Sequence, residues 1–155
     1  MPEVEELTDG DPRELVVENA LRKARAITTE GRVLGVDTAV VLHPEIFGKP
    51  RDRDQAADFL GRLSGRTHEV MSGVVLREAD GRERHGVAVT RVRFRALEPR
   101  ELQWYLATGE WAERAGGYAI QGRGAALVEE IAGDYLNVVG LPIPLLLHLA
   151  PDLLG

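Results

Sequence analysis

The chain has no cysteine. That excludes a disulfide framework and any metal site built on thiolates. Aromatic residues make up 5%, which leaves few stacking platforms for single-stranded nucleic acid. The formal net charge is −6, against the basic surface a general nucleic-acid binder needs. No apolar run is long enough to cross a bilayer, so no membrane partner is expected. The opening Met1-Pro2-Glu3-Val4-Glu5-Glu6 is acidic and is not a signal peptide. A cytoplasmic protein is the expectation. Lysine is also nearly missing: of 19 lysines and arginines, only Lys23 and Lys49 are lysine.

What remains is ample for one domain. At 155 residues and 44% hydrophobic, the chain can bury a proper core. Its centre of organisation is Val33 to Pro50. Val33-Leu34-Gly35-Val36 reads as a buried strand that runs into Asp37-Thr38, and Ala39-Val40-Val41-Leu42 is apolar again. An ionised Asp between apolar runs is costly without a partner or a metal. Two readings of Asp37 stand: the cap of a turn or helix, or a ligand for a metal or a water. Gly48-Lys49-Pro50 follows, a cation after a loop with proline fixing the chain behind it. An Asp and a Lys flanking one strand and loop suit a metal–phosphate substrate. A compact ammonium approaches phosphate in a way that a planar guanidinium does not always match, so the two surviving lysines are candidates beside a reading as chance survivors.

In chain order, Asp11-Pro12-Arg13-Glu14 is a helix start with cap, proline and acidic third residue. Val17, Ala20, Leu21, Ala24 and Ile27 form its apolar stripe, with an end near Thr28. Arg22 and Arg25 read as solvated charges, and Lys23 is left open between a solvated charge and a site residue. Asp52 caps a second helix with Ala56, Ala57, Leu60 and Leu63 inward and Gly65 at its end. His68 and Val70 lead into a strand at Gly73–Leu76, and Asp80-Gly81 signals a hairpin. The return strand, Gly86 to Ala96, alternates Ala88, Thr90, Val92 and Phe94 with Val89, Arg91, Arg93 and Arg95. The arginine row reads as the wet face of an antiparallel sheet ahead of a polyanion site. Glu98 to Thr108 is a helix with Leu102, Tyr105 and Leu106 inward.

Ala115 to Gly124 is rich in glycine but carries neither a phosphate-loop Gly-Lys-Ser/Thr nor a dinucleotide fingerprint. It reads as backbone packed close to a ligand or a strand, with Gln121 a candidate for an amide or base edge. Leu127–Ile131 is strand or helix. Gly133-Asp134-Tyr135 turns the chain, and a closing helix begins at Pro142 or Pro144 and runs through Leu145, Leu146, Leu149 and Leu153. The four histidines lack metal-binding spacing, and no nucleophile elbow or Ser-His-Asp order is present.

Taken together, these residues resemble the Maf proteins, nucleoside-triphosphate pyrophosphatases first named as septum-formation inhibitors. The resemblance covers nearly the whole chain. It rests on Ala20-x-x-Lys23-Ala24, Gly35-x-Asp37-Thr38 and Gly48-Lys49-Pro50. It continues with Leu63-Ser64-Gly65-x-x-His68-x-Val70 and Thr90-x-Val92-x-Phe94. It ends with Ala115-Gly116-Gly117-Tyr118-x-Ile120-Gln121-Gly122 and Gly133-Asp134-Tyr135-x-Asn137-Val138-Val139-Gly140-Leu141-Pro142.

The resemblance implies an α/β fold: a mixed, elongated sheet flanked by helices, as in Maf and ITPase-like proteins, with two lobes around a cleft. It implies hydrolysis of a nucleoside triphosphate to monophosphate and pyrophosphate with a divalent metal, Mg2+ or Mn2+. Asp37 would be proton acceptor for the attacking water and metal ligand. Thr38 and Gln121 would help choose the base, and Lys23 and Lys49 would lie by the phosphates. The glycine-rich motifs resemble the branch acting on dTTP and UTP more than the branch acting on 7-methyl-GTP. A homodimer is the default assembly.

One departure stands out. The family's opening strand and its Ser-x-x-Arg-Arg phosphate loop have no counterpart here, a difference of roughly thirty residues or one strand–loop–helix unit. The expectation is a misplaced start, with Met1 read from a GUG valine codon, or else a natural truncation. The alternative function is accordingly a truncated, catalytically impaired nucleotide-binding or regulatory protein on the same fold.

Overall fold

A computed structural model describes residues 4–155. The expectation about Met1 as a start codon lies outside the described residues. Helix α1 (Pro12–Arg25) starts as its sequence predicts, with the Asp11 carboxylate accepting from the N–H groups of Arg13 and Glu14. Its buried face is turned by about one residue from the expected stripe: Leu15, Val16, Asn19, Ala20 and Ala24 face inward. A count of apolar side chains misses Asn19 because its amide is satisfied only in the folded chain.

Strand β1 (Val33–Leu42) is continuous through Asp37, so the turn-cap reading of that residue falls away. A tight turn leads to β2 (Glu45–Phe47), which pairs only with Val40–Leu42. Helix α2 (Arg53–Leu63), capped by Asp52, returns the chain to β3 (Thr67–Arg77). Strand β4 (Glu83–Phe94) follows through the Asp80-Gly81 hairpin. Then come α3 (Pro99–Ala107), opened by a Glu98/Glu101 capping box, and β5 (Val128–Ala132). The ambiguous stretch after Leu127 is therefore strand. Two short helices close the chain, α4 (Tyr135–Val139) and α5 (Ile143–Leu149). The expected closing helix breaks at Ala150 before a single 3-10 turn, Pro151–Leu154, because Pro151 cannot continue the ladder.

The sheet runs β2-β1-β3-β4-β5. The α/β class and the elongated, helix-flanked sheet stand. Each described pairing is antiparallel, where the resemblance implies a mixed sheet. Tight turns join β1 to β2 and β3 to β4, α2 carries the chain from β2 past β1 to β3, and the segment containing α3 leads from β4 to its neighbour β5.

Odd residues of β1 face α1. Val33 packs with Ala20, Ala24 and Val75, while Ala39 and Val41 pack with Leu15, Val16 and Met71. Even residues face the larger core under α2 and α3, where Val40 meets Phe47, Leu60, Val70 and Phe94. Two glycines let α1 lie directly on the strands. A Cβ on Gly73 would be 2.4 Å from the Val16 carbonyl oxygen, and one on Gly35 2.3 Å from that of Ala20. Gly73 is the cross-strand partner of Asp37, so this close approach brings the helix to the carboxylate. Of the arginine row, Arg91 and Arg93 are exposed and Arg95 is half-buried. Arg95 bonds the Ala126 carbonyl and Glu101. No described helix is long and apolar enough to cross a membrane.

Candidate active site

β2 stops opposite Val40. Among the described residues no strand pairs with that edge of β1 below this point, and Asp37 and Thr38 stand there on opposite faces of the strand. A cleft of about 230 Å³ runs along this edge, and Lys23, Asp37, Thr38, Lys49 and Gln121 all line it. The five residues singled out in the sequence thus come from α1, β1, the segment after β2 and the glycine-rich loop, and meet at one cavity. Its apolar lining includes Val40, Val70 and Tyr118 together with Val138 and Val139 of α4. A second cavity, about 360 Å³, continues on the α1 side and shares Asp37, Thr38 and Lys49.

Asp37 is 7% exposed and both its oxygens are engaged. Oδ1 accepts from Lys23 Nζ at 2.9 Å, and Oδ2 accepts from Asn19 Nδ2 at 3.2 Å. Burial pushes its pKa above the ordinary carboxylate range, with Lys23 and Asn19 pulling the other way. Lys23 is no solvated helix charge. Besides Asp37 it donates to Glu6 Oε1 at 2.9 Å and to the Val36 carbonyl at 3.3 Å. Burial lowers its pKa, but the hydrogen bonds and charges of Glu6 and Asp37 outweigh this and hold it above the ordinary lysine value. One ammonium therefore stands between two carboxylates.

Asn19 organises this corner. Its Nδ2 also donates to the Leu7 carbonyl at 3.0 Å, and its Oδ1 accepts the Leu7 N–H at 2.7 Å. One buried amide, a turn before Lys23 on α1, thereby binds the extended segment that carries Glu6 and the carboxylate of Asp37. Thr38 faces the other way, its Oγ1 2.8 Å from Ser72 Oγ on β3. Lys49 is largely exposed, with Glu113 Oε2 3.9 Å away. Glu113 holds a left-handed backbone conformation, φ 62°, rare for a residue with a Cβ and typical of functional loops.

Gln121 is exposed at the rim. Its side chain makes no hydrogen bond among the described residues. The α4 wall is held from below by Asn137, whose Nδ2 donates to the Val70 carbonyl at 3.0 Å and to Thr90 Oγ1 at 3.0 Å. Thr90 in turn binds both the N–H and the carbonyl of Asp134.

Asn19, Glu6, Ser72 and Asn137 are not among the site residues that the sequence singles out. A signal exists for the two asparagines: they are the only ones in the chain, and each lies among apolar neighbours.

The family model described as "Maf-like protein" matches residues 1–153. A protein named dTTP/UTP pyrophosphatase from Symbiobacterium thermophilum is 50% identical over 148 residues, 92% of this chain and 76% of that one. One of the same name from Pyrococcus furiosus is 41% identical over 148 residues, 94% and 77% of the two chains. Another from Anaeromyxobacter is 49% identical over 144 residues, 90% and 70%. With a family match over nearly its full length and relatives this similar, the chain belongs to the Maf family.

Proposed function

We propose that this protein hydrolyses dTTP and UTP between the α and β phosphates, giving the monophosphate and pyrophosphate. The observation that carries the reading is the meeting of Lys23, Asp37, Thr38, Lys49 and Gln121 at one cleft whose lining is both charged and apolar. The relatives' names supply the substrate class. The base lies against the valines of the lining, with Gln121 and Thr38 offering polar groups to its edge. The phosphates lie toward Lys23 and Lys49. All three contacts of the Lys23 ammonium are to protein oxygens, so a phosphate oxygen replaces one of them on binding.

A divalent metal belongs to this reading. Asp37 and Glu6 are its candidate protein ligands, since both carboxylates reach the same cation, Lys23. Among the described residues no three His, Cys, Asp or Glu side chains converge. That donor set fits Mg2+ or Mn2+, which one or two carboxylates hold together with substrate phosphates, and does not suit an all-protein cage. When bound, the ion lowers the pKa of water and neutralises phosphate charge. Asp37 accepts the proton of the attacking water at a carboxylate oxygen. Its burial makes it a stronger base than a free aspartate. Asn19 holds Oδ2 and so orients the group.

Pyrophosphate release from dTTP, UTP, CTP, ATP and GTP with Mg2+ or Mn2+ tests the reading. dTTP and UTP should lead. Asp37→Asn should lower turnover by about 10²-fold or more, the scale of a lost catalytic base. Nucleotide binding without release of pyrophosphate, or an Asp37→Asn variant within threefold of the parent, would overturn it.

A further inference from the structure

Gln121 alone does not exclude cytosine. A primary amide carries an acceptor and a donor of nearly equal size, and half a turn about its last bond exchanges them. Uracil and thymine present a carbonyl and a ring N–H where cytosine presents an amine and a bare ring nitrogen. A freely turning Gln121 therefore satisfies either pattern. Discrimination needs the amide carried at a fixed place beside the base, so that the wrong edge leaves polar groups unpaired.

The backbone that carries Gln121 is fixed, and by residues from outside the loop. Glu110 lies between α3 and the glycine-rich loop. Its Oε2 accepts the Arg123 N–H at 2.9 Å, and its Oε1 accepts the Gly124 N–H at 3.2 Å. Oε1 also accepts the Tyr105 hydroxyl at 3.1 Å. Tyr105, fully buried on α3, takes the Ala119 N–H on its Oη at 2.9 Å. The Gly122 N–H closes back on the Ala119 carbonyl at 3.1 Å. Backbone groups on both sides of Gln121 are thus fastened to one carboxylate–phenol pair, while its own amide makes no hydrogen bond among the described residues. The fit is close: a Cβ on Gly122 would be 2.7 Å from the Glu110 carboxylate oxygens. Burial pushes the Glu110 pKa up, but the donors it receives more than offset this and hold it below the ordinary glutamate value.

We propose that Glu110 and Tyr105 are the positioning residues that set base choice, by holding the Ala119–Gly124 backbone as the fixed frame beside which the Gln121 amide is read. Neither lines the cleft. This rests on the reading of the cleft as a pyrimidine-nucleotide site.

The test is the ratio of kcat/KM for UTP to that for CTP in Glu110→Gln, Tyr105→Phe and Gln121→Ala. Tyr105→Phe keeps the packed ring and frees the Ala119 N–H. Glu110→Gln keeps the shape and weakens the acceptor for two N–H groups. Each should lower the ratio by roughly fivefold or more, the size of one lost hydrogen bond, with the loss falling on UTP. Thermal unfolding of both variants accompanies the kinetics, and the two need not be equally stable for either to decide. If both slow UTP, CTP and ATP by the same factor, the pair is only structural and the proposal is overturned. If Gln121→Ala shifts the ratio and neither clamp variant does, the proposal fails while the pyrimidine reading stands. If Gln121→Ala leaves the ratio untouched, the premise fails, and the proposal with it.

Discussion

Lys49 and Lys23 share a side-chain type and a cleft, but their surroundings differ. The Lys49 side chain is 56% exposed and its nearest carboxylate is 3.9 Å away, whereas that of Lys23 is 21% exposed and tied to two acids. Lys49→Arg should therefore leave thermal stability unchanged. If the ammonium contacts phosphate, the planar guanidinium should still lower kcat/KM, by about tenfold. Equal kcat/KM in the two proteins would return Lys49 to the surface. The same exchange at Lys23 would also crowd Asn19 and Asp37, so a kinetic loss there mixes packing with chemistry and Lys49 gives the cleaner answer. At this scale the sequence is readable where a residue contradicts its setting: an acid inside an apolar strand, or a lysine in a chain that otherwise uses arginine. Glu6 and Glu110 do not contradict theirs. Their partners lie 17 and 13 residues away, and only the folded backbone brings them together.

Caps and turns explain why most elements are readable. Asp11, Asp52, the Glu98/Glu101 box and Asp80-Gly81 all act where local rules put them. The exceptions have tertiary causes. α4 is one short turn of helix, capped by Asp134 and held by buried Asn137, and five residues are too few to be stable or recognisable alone. The buried face of α1 departs from its apolar stripe because two polar residues, Asn19 and Lys23, belong to the side that meets the sheet. That contact depends on Gly73, and it gives a prediction for the element. Gly73→Ala puts a methyl 2.4 Å from the Val16 carbonyl oxygen, a backbone group that cannot rotate aside. α1 must lift. Stability should fall by about 1–3 kcal/mol, the usual cost of overpacking. Turnover should fall further than the folded fraction accounts for, because Asn19 and Lys23 retreat from Asp37. Chemical denaturation and kcat measured on the folded fraction check this. A loss of stability with full turnover would mean that α1 does not position the site.

For the molecule as a whole, the core beneath the cleft carries one titratable group with a large effect. His68, 1% exposed, lies edge-on to Phe94 and Tyr118, and its Nε2 is 2.7 Å from the Tyr118 hydroxyl. Its Nδ1 has no partner among the described residues. Burial lowers its pKa from 6.5 to about 4. An unfolded chain takes up a proton near pH 6.5 that the folded chain refuses until about pH 4. The stability tied to the neutral ring is therefore complete above pH 6.5 and is lost as the pH falls toward 4. Each pH step of one between those two values removes about 1.4 kcal/mol, so roughly 3 kcal/mol disappears across that window. Asp37 works in the opposite sense: its raised pKa means that the fold holds the carboxylate ionised at a cost, and acid relieves it. The carboxylates held low by arginine or by N–H donors, such as Glu83 and Glu110, lose their contributions only below pH 4.5. Between pH 6.5 and 4.5 the slope should thus belong mainly to His68. Urea unfolding at half-unit pH steps should show it, and His68→Phe, which cannot titrate, should flatten it. An unchanged slope in that variant would place the acid sensitivity elsewhere. The ring also holds Tyr118, which lines the cleft; because the folded chain protonates His68 only near pH 4, nucleotide affinity should hold through this window and fall as the pH approaches 4, which binding measured at the same pH steps checks.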